Sequence, residues 1–416
     1  MPNSVVLLNV HADRIDAEVQ IPLSELQAAF GYAVNDSSAG LVDRLGSQLR
    51  SYLAKHIRPQ TPDGRYWVVN VGALGVQETQ NAINGPYREL TAQIRLIPPP
   101  GADIRRFTFY YDVVLHQVVT HKILVSVRQD WARGLLPESG ADAPLDQVGA
   151  IELDIVNNRI LPLSVNLATG SVWTGFVSMV RLGMNHIAEG TDHLLFLLVL
   201  LLPAPLLVQR KTGRRASWGR FGGVRYSLRR LLLIITAFTL GHSLTLLAGA
   251  TGWVRLPGQP VEMLIAVSIL VSAIHAVRPL FPGREVWVAA GFGLVHGLAF
   301  ASTLANLDLD GGRMALSILG FNVGIELMQL IVIALTMPWL ILLSLGTFYS
   351  TVRVTGAILA GIAALAWLTE RATGQPNPLT VLVASLTQFA PWLLGALALL
   401  ALVSWWLPVI RKPSSL

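Results

Sequence analysis

The chain contains no cysteine. That absence removes disulfides, thiolate metal sites and thiol nucleophiles. Any metal ligand must then be His, Asp or Glu, a set that suits nickel, cobalt, zinc or iron better than copper(I). Charge is scarce too: Asp, Glu, Lys and Arg make up 13% of the 416 residues, against about 25% in soluble domains. Hydrophobic residues reach 52% and mean hydropathy is +0.53, so much of the chain belongs in lipid. No nucleotide-binding loop is visible, which excludes a built-in ATPase. The short apolar patch in Met1–Val10 has no basic start and no cleavage site, so it does not read as a signal peptide.

The charge that is present is unevenly placed. Residues 1–170 hold 14 Lys+Arg and 17 Asp+Glu, net −3, while residues 171–416 hold 17 and 8, net +9. The basic pI of 9.8 is thus a property of the second half. It points to membrane topology and contact with anionic lipid, not to nucleic acid. The two halves read as different domains: 1–165, a linker with an interfacial or re-entrant helix over 166–187, and 188–416.

The first domain reads as mostly β (α+β). Apolar or alternating stretches predict strands at Val5–Val10, Ile15–Ile21, Tyr66–Val71, Leu90–Ile97, Phe107–Val114, Val118–Val127 and Ile151–Ile155, mostly antiparallel. Gly, Pro and Asn turns such as Asn84-Gly85-Pro86 separate them. A short helix follows Pro22, and Leu41, Leu45, Leu49, Leu53 and Ile57 have helical spacing. Arg133 to Leu145 reads as a polar loop. His116 and His121 flank one predicted strand on opposite sides and read as surface residues. Nothing in this domain looks catalytic; docking a protein partner or substrate, or gating, is the expected role.

The second half is expected to be an all-α polytopic domain of about seven transmembrane helices, near 188–208, 230–249, 261–281, 286–305, 314–345, 352–370 and 386–409. Pro338 should kink or end the fifth. One set of connections carries Arg210, Lys211, Arg214, Arg215, Arg220, Arg225, Arg229, Arg230, Arg278, Arg284, Arg353, Arg411 and Lys412; the other carries Arg255, Arg313 and Arg371. The positive-inside rule puts the first set in the cytoplasm. The chain is then a multi-pass protein of the inner (plasma) membrane with an extracytoplasmic amino-terminal domain and a cytoplasmic carboxyl terminus. Exporting that domain requires a signal peptide ahead of Met1.

Polar residues within the spans share a depth. At about 1.5 Å per residue, Asp192, His193, His242, Glu262, His296 and Glu326 fall in the outer half or middle of five consecutive spans. His275 alone sits near the inner end. Intramembrane ionisable groups are expensive and usually functional. Imidazole with carboxylate is a natural ligand set for a borderline divalent ion. His186, Glu189 and His193 fall on one stripe if their segment is helical, with Glu189 an entry charge. Small residues at Gly291, Gly293, Gly297, Gly320 and Gly324 permit close helix approach, and Asn322 and Gln329 suit interhelical hydrogen bonds.

The stretch His186-x5-Asp192-His193-Leu-Leu-Phe resembles the His-x5-Asp-His motif of the HupE/UreJ family. Phe238 to Ser243, Glu262 and Phe292 to Ala299 are similar to its later motifs. The long first domain is similar to the larger subfamily with an extracytoplasmic extension. The resemblance implies an accessory membrane protein of hydrogenase and urease assembly, regarded as a nickel or cobalt permease. His186, Asp192, His193, Glu262 and His296 would then be candidate ligands along the metal path. The family's glycine and glutamate after the His-Gly motif are replaced here by Ala301 and Thr303; Glu326 can supply a carboxylate from the next helix.

Two mechanisms fit. In the first, a divalent cation enters past Glu189 and Glu262, binds the imidazoles and carboxylates, and leaves inward by alternating access. In the second, His186, His193 and His296 hold zinc for an intramembrane hydrolase, with Asp192 as base and Ser243 helping to stabilise an oxyanion. The first agrees better with the motifs. The scarcity of inner-half ligands favours the second.

Overall fold

A computed structural model describes residues 3–35, 40–81, 85–136, 145–154, 157–209 and 216–410. Asn84, Ile155, most of the expected polar loop 133–145, and the basic residues Arg210, Lys211, Arg214, Arg215, Arg411 and Lys412 lie outside the described residues. Two compact units are present, residues 1–178 with 309–313 and residues 179–308 with 314–416.

The first unit is rich in strands. β1 (Ser4–Val10) and β2 (Ile15–Pro22) form a hairpin with Val5 opposite Gln20. The period of two buries Ile15, Ala17, Val19 and Ile21 and leaves Asp16, Glu18 and Gln20 outside. α1 (Leu23–Phe30) stops at Gly31, whose φ of 79° favours glycine. α2 (Leu41–His56) buries Leu41, Leu49 and Leu53, as its spacing predicts. There follow β3 (Ile57–Gln60), β4 (Val68–Asn81), β5 (Gly85–Ile97), β6 (Arg106–Tyr111), β7 (Ile123–Asp130), β8 (Asp146–Ile151), β9 (Leu153–Asp154), β10 (Arg159–Ile160) and β11 (Leu163–Asn166). The main sheet has the order β4-β5-β2-β1-β7-β8, antiparallel except for the β1–β7 pair. A smaller sheet has the order β11-β6-β3.

One expectation fails here. Residues 112–122 are turns, not strand: the Val118 amide bonds back to Val114, the His121 amide bonds to Val118, and Val114 has φ 65°. His116 stacks on His56 at 4.2 Å, and His56 Nδ1 bonds Asp112. His121 is not a surface residue. It is 2% exposed, with Nε2 2.7 Å from Ser4 Oγ and Nδ1 3.6 Å from Glu25. Burial lowers its pKa to about 4 despite that nearby carboxyl, and burial also raises the pKa of Glu25. Below its ordinary value the unfolded chain takes up a proton that the folded chain refuses. The neutral ring therefore stabilises the fold above about pH 6.5, and that stability drains away as pH falls toward 4. The loss is about 3 kcal/mol. Hydrogen-exchange opening energies of β1 and β7 should show this fall, and His121→Gln should flatten it.

α3 (Val172–Glu189), whose residues from Met179 on belong to the second unit, is followed after Gly190 by α4 (Thr191–Leu201). A hairpin of β12 (Leu206–Gln209) and β13 (Ser217–Phe221) comes next. Then come α5 (Val224–Ala250), α6 (Gly258–Val277), α7 (Glu285–Ala305), α8 (Gly311–Ser344), α9 (Tyr349–Thr373), α10 (Pro378–Leu386) and α11 (Ala390–Ile410). Among the described residues, α5, α6, α8 and α9 are long and apolar enough to cross a membrane. The bent pair of α10 and residues 390–406, at 73°, makes a fifth if counted as one span. The expected first span is the short α4, with 11 residues. α8 runs through Pro338 to Ser344 instead of ending there.

Glycines set the closest crossings. A Cβ on Gly241, Gly293 or Gly297 would overlap the facing backbone of α7 or α5, at Ala290, Phe238 and His242 respectively. Gly183 on α3 and Gly324 on α8 meet the backbone at Phe321 and Val180 in the same reciprocal way. No side chain fits there, so the helices approach to backbone contact. Gly293→Leu should part α5 from α7 and cost at least about 1–3 kcal/mol. A fall in the thermal midpoint of the purified protein would report it, with Gly291→Leu, at a position open on that side, as the tolerated control.

Candidate metal centre

Gly190 makes the centre possible. A Cβ there would lie 2.5 Å from the His186 carbonyl and 2.9 Å from His193 Nδ1. The chain turns at this residue, so the stripe expected of one continuous helix is instead built from two. It still brings the rings of His186 and His193 to 4.5 Å between centroids. His242 on α5 comes to 6.3 Å from His186, and His296 on α7 comes to 5.0 Å from His193. His242 and His296 are fully buried. The α5–α7 glycine crossing surrounds both: Gly241 precedes His242, and Gly297 follows His296 and abuts the His242 carbonyl.

Hydrogen bonds fix which nitrogens carry lone pairs. His193 Nδ1 is 2.8 Å from Asp192 Oδ1. A carboxylate only accepts, so Nδ1 carries the proton and Nε2 presents the lone pair. On α6, the Ser268 hydroxyl donates to the Ile265 carbonyl at 2.7 Å. It must then accept from His296 Nε2, 2.9 Å away, which leaves Nδ1 as the lone-pair atom. Those two bare atoms are both buried without a partner, as are His186 Nε2 and both ring nitrogens of His242. Five imidazole nitrogens thus lack partners in one small region, where water-exposed alternatives are absent. Their ligating atoms, with Asp192, do not yet draw together within 4.8 Å in any group of three.

The collar is aromatic. Phe300 and Phe321 stack at 4.3 Å, and their rings stand 4.9 and 5.3 Å from His186. Phe196 and Phe238 each lie 5.1 Å from His296. Asp192, 35% exposed at its side chain, looks out into a cavity of about 200 Å³ lined also by Glu189, Glu262, Trp367 and Arg371. Glu262 stands at this mouth, paired with Arg371 at 2.6 Å.

Other expected residues lie elsewhere or are engaged. Glu326 accepts from Thr236 at 3.1 Å on the α5–α8 contact, and Gln329 accepts from Thr239 at 3.4 Å. Asn322 bonds its own helix at Ile318 and keeps a buried, unpartnered Oδ1. The Ser243 hydroxyl donates to the Thr239 carbonyl at 2.6 Å, so its proton is spent on its own helix. Sequence reasoning missed Ser268, the aromatic collar and Arg371. Phe196 and Phe238, inside the motifs, are the two collar residues that the sequence marks.

Residues 164–371, half of the chain, match the family described as HupE / UreJ protein. The chain belongs to the HupE/UreJ family. No curated protein and no solved structure gives a match. Every histidine of the centre falls inside the matched HupE/UreJ segment, as do Asp192, Glu262 and Arg371.

Asp192 orients His193 and keeps its lone pair on Nε2. Asp192→Asn should therefore weaken Co²⁺ binding by about 10–100-fold, read from the cobalt absorption of the purified protein, while Ser243→Ala leaves it unchanged.

Proposed function

We propose that this HupE/UreJ protein is an integral membrane protein that carries a divalent transition metal, most simply nickel or cobalt, through a site formed by His186, His193, His242 and His296. The carrying observation is the set of five buried ring nitrogens without partners, placed beneath an acid-lined cavity. Borderline divalent ions take neutral imidazole readily. The carboxylate-oriented His193 has the arrangement that metal-ligating histidines use.

The route begins at the cavity of Glu189, Asp192 and Glu262. Three carboxylates face the guanidinium of Arg371, which Glu262 shares with Glu370, so the mouth stays negative, which suits a hydrated dication. Below it the ion exchanges water for imidazole. The aromatic collar excludes water and strengthens each electrostatic contact. Beyond the centre, Ser268, Ser272 and His275 continue a stripe on α6, spaced four and three apart. They lead to a small cavity of about 20 Å³ lined by Ser272, His275, Arg230 and Glu285. That volume suits about one water. The Arg230–Glu285 pair, 2.8 Å apart and mostly buried, closes this end, so the arrangement corresponds to an outward-open state. The inner half is thus less bare than the sequence suggests.

The matching topology has seven crossings, counting α4 with its flanks, α7 and the bent α10–α11 pair. The basic ends face the cytoplasm of an inner (plasma) membrane. The amino-terminal unit is extracytoplasmic and available to a protein partner or metal donor. A zinc-dependent hydrolase at the same site is weakened because the Ser243 hydroxyl proton is already committed.

Radiotracer uptake into liposomes tests the reading. Wild-type protein should move ⁶³Ni²⁺ or ⁵⁷Co²⁺ down its gradient, and His193→Ala should abolish the flux. Tightly held zinc in the purified protein with no flux of any divalent ion would sink the permease and favour the hydrolase.

A further inference from the structure

The basic end of α5 carries a second cavity, which shares only Arg230 and Glu285 with the small cavity at the inner end of the proposed route. A cavity of about 890 Å³ opens there, lined by Arg225, Tyr226, Arg229, Arg230, Leu207 and Val286 among others. Its charge is lopsided. Arg230 is held by Glu285 and by the Leu206 carbonyl. Arg225 and Arg229 are exposed and enter no hydrogen bond or ion pair among the described residues. The first turn of α5 adds to this field. Gly223 caps it without any side-chain hydrogen bond, and Arg225 and Tyr226 of that turn line the cavity, so the positive end of the helix dipole stands beside it.

The remaining walls are apolar. Leu207, Val208, Leu233 and Val286 line the cavity, and Leu228 and Leu232 on the same helix are exposed. α5 is long and apolar enough to cross a membrane, so its charged first turn stands at the bilayer surface and the leucines stand in the acyl region. Trp287, 80% exposed at the start of α7, and Tyr226 are the residue types that settle at this boundary. A small soluble anion would use the arginines and leave the greasy wall wet. A molecule with a phosphodiester head and hydrocarbon tails uses both.

We propose that this cavity binds the headgroup of an anionic phospholipid from the basic-side leaflet, with Arg225, Arg229 and the α5 amino terminus on the phosphate and the acyl chains along Leu207, Leu233 and Val286. Basic pockets between membrane helices recognise such headgroups through this combination of charge and apolar wall. The site shares no residue with the four histidines, and its phosphate ligands Arg225 and Arg229 have no part in the metal route, so it stands whether or not the protein transports.

Native mass spectrometry of the detergent-purified full chain is the test, with cardiolipin, phosphatidylglycerol or phosphatidylcholine added in turn. The two anionic lipids should stay bound under activation that strips phosphatidylcholine. The double variant R225Q/R229Q should weaken their retention by about thirtyfold. Arg278→Gln, a basic residue at the same end but outside the cavity, should leave it unchanged. Both variants are at the surface, and elution as a single species identical to wild type confirms their fold. Equal retention of phosphatidylcholine, unchanged retention in the double variant, or an equal loss in Arg278→Gln would overturn the assignment. So would displacement of the lipid by millimolar inorganic phosphate.

Discussion

Backbone-to-backbone contact between helices is the constraint on which the rest of this structure depends. Imidazole rings reach only a few ångströms from their own helix, so four of them meet only if their helices come unusually close. Gly293 and Gly297 against Gly241 bring α7 and α5 together, and Gly183 against Gly324 does so for α3 and α8. In lipid no hydrophobic force drives such approach, and small residues allow dispersion and backbone contact to replace it. Gly190 then solves the remaining problem by turning the chain within one residue, so that α3 and α4 each deliver a ring.

The centre itself is unfavourable when left alone. An unpartnered buried polar group costs about 1–3 kcal/mol, and the five bare ring nitrogens lie where water has little room. A fold optimised only for stability would fill these positions with leucine. The hydrogen bonds present are placed on the far side of each ring: Asp192 behind His193 and Ser268 behind His296. They hold orientation and tautomer while leaving the inward nitrogen free, as a ligand site needs.

Much of this was legible in the residues. The acidic and basic halves, the strand-rich first unit and the clustering of His186, His193, His242 and His296 all follow from composition, period and depth. What escaped has identifiable causes. A period of two near Val118 suggested a strand, but the turns from Val114 to His121 use the same residue types. Depth along a span said nothing about azimuth, so Glu326 looked like a neighbour of the histidines although it bonds Thr236 on another contact. Arg371 was counted as a topology signal on an outer loop; only the packing of α9 on α6 reveals that it pairs with Glu262. Serine 268 carried no mark at all, because its role rests on one hydroxyl whose own proton is already given away.

If the centre carries metal as proposed, Arg371 has a consequence for which ions would enter. It is a tethered occupant, a permanent monovalent cation already seated between Glu262 and Glu370 at the mouth. A free monovalent ion arriving there offers no more charge than the guanidinium it would replace, and it forfeits hydration to do so. A dication offers twice the charge to the same carboxylates. On the proposed route such a doorway would set a threshold in valence before any ligand chemistry is consulted, and the histidines would need only to sort one divalent metal from another.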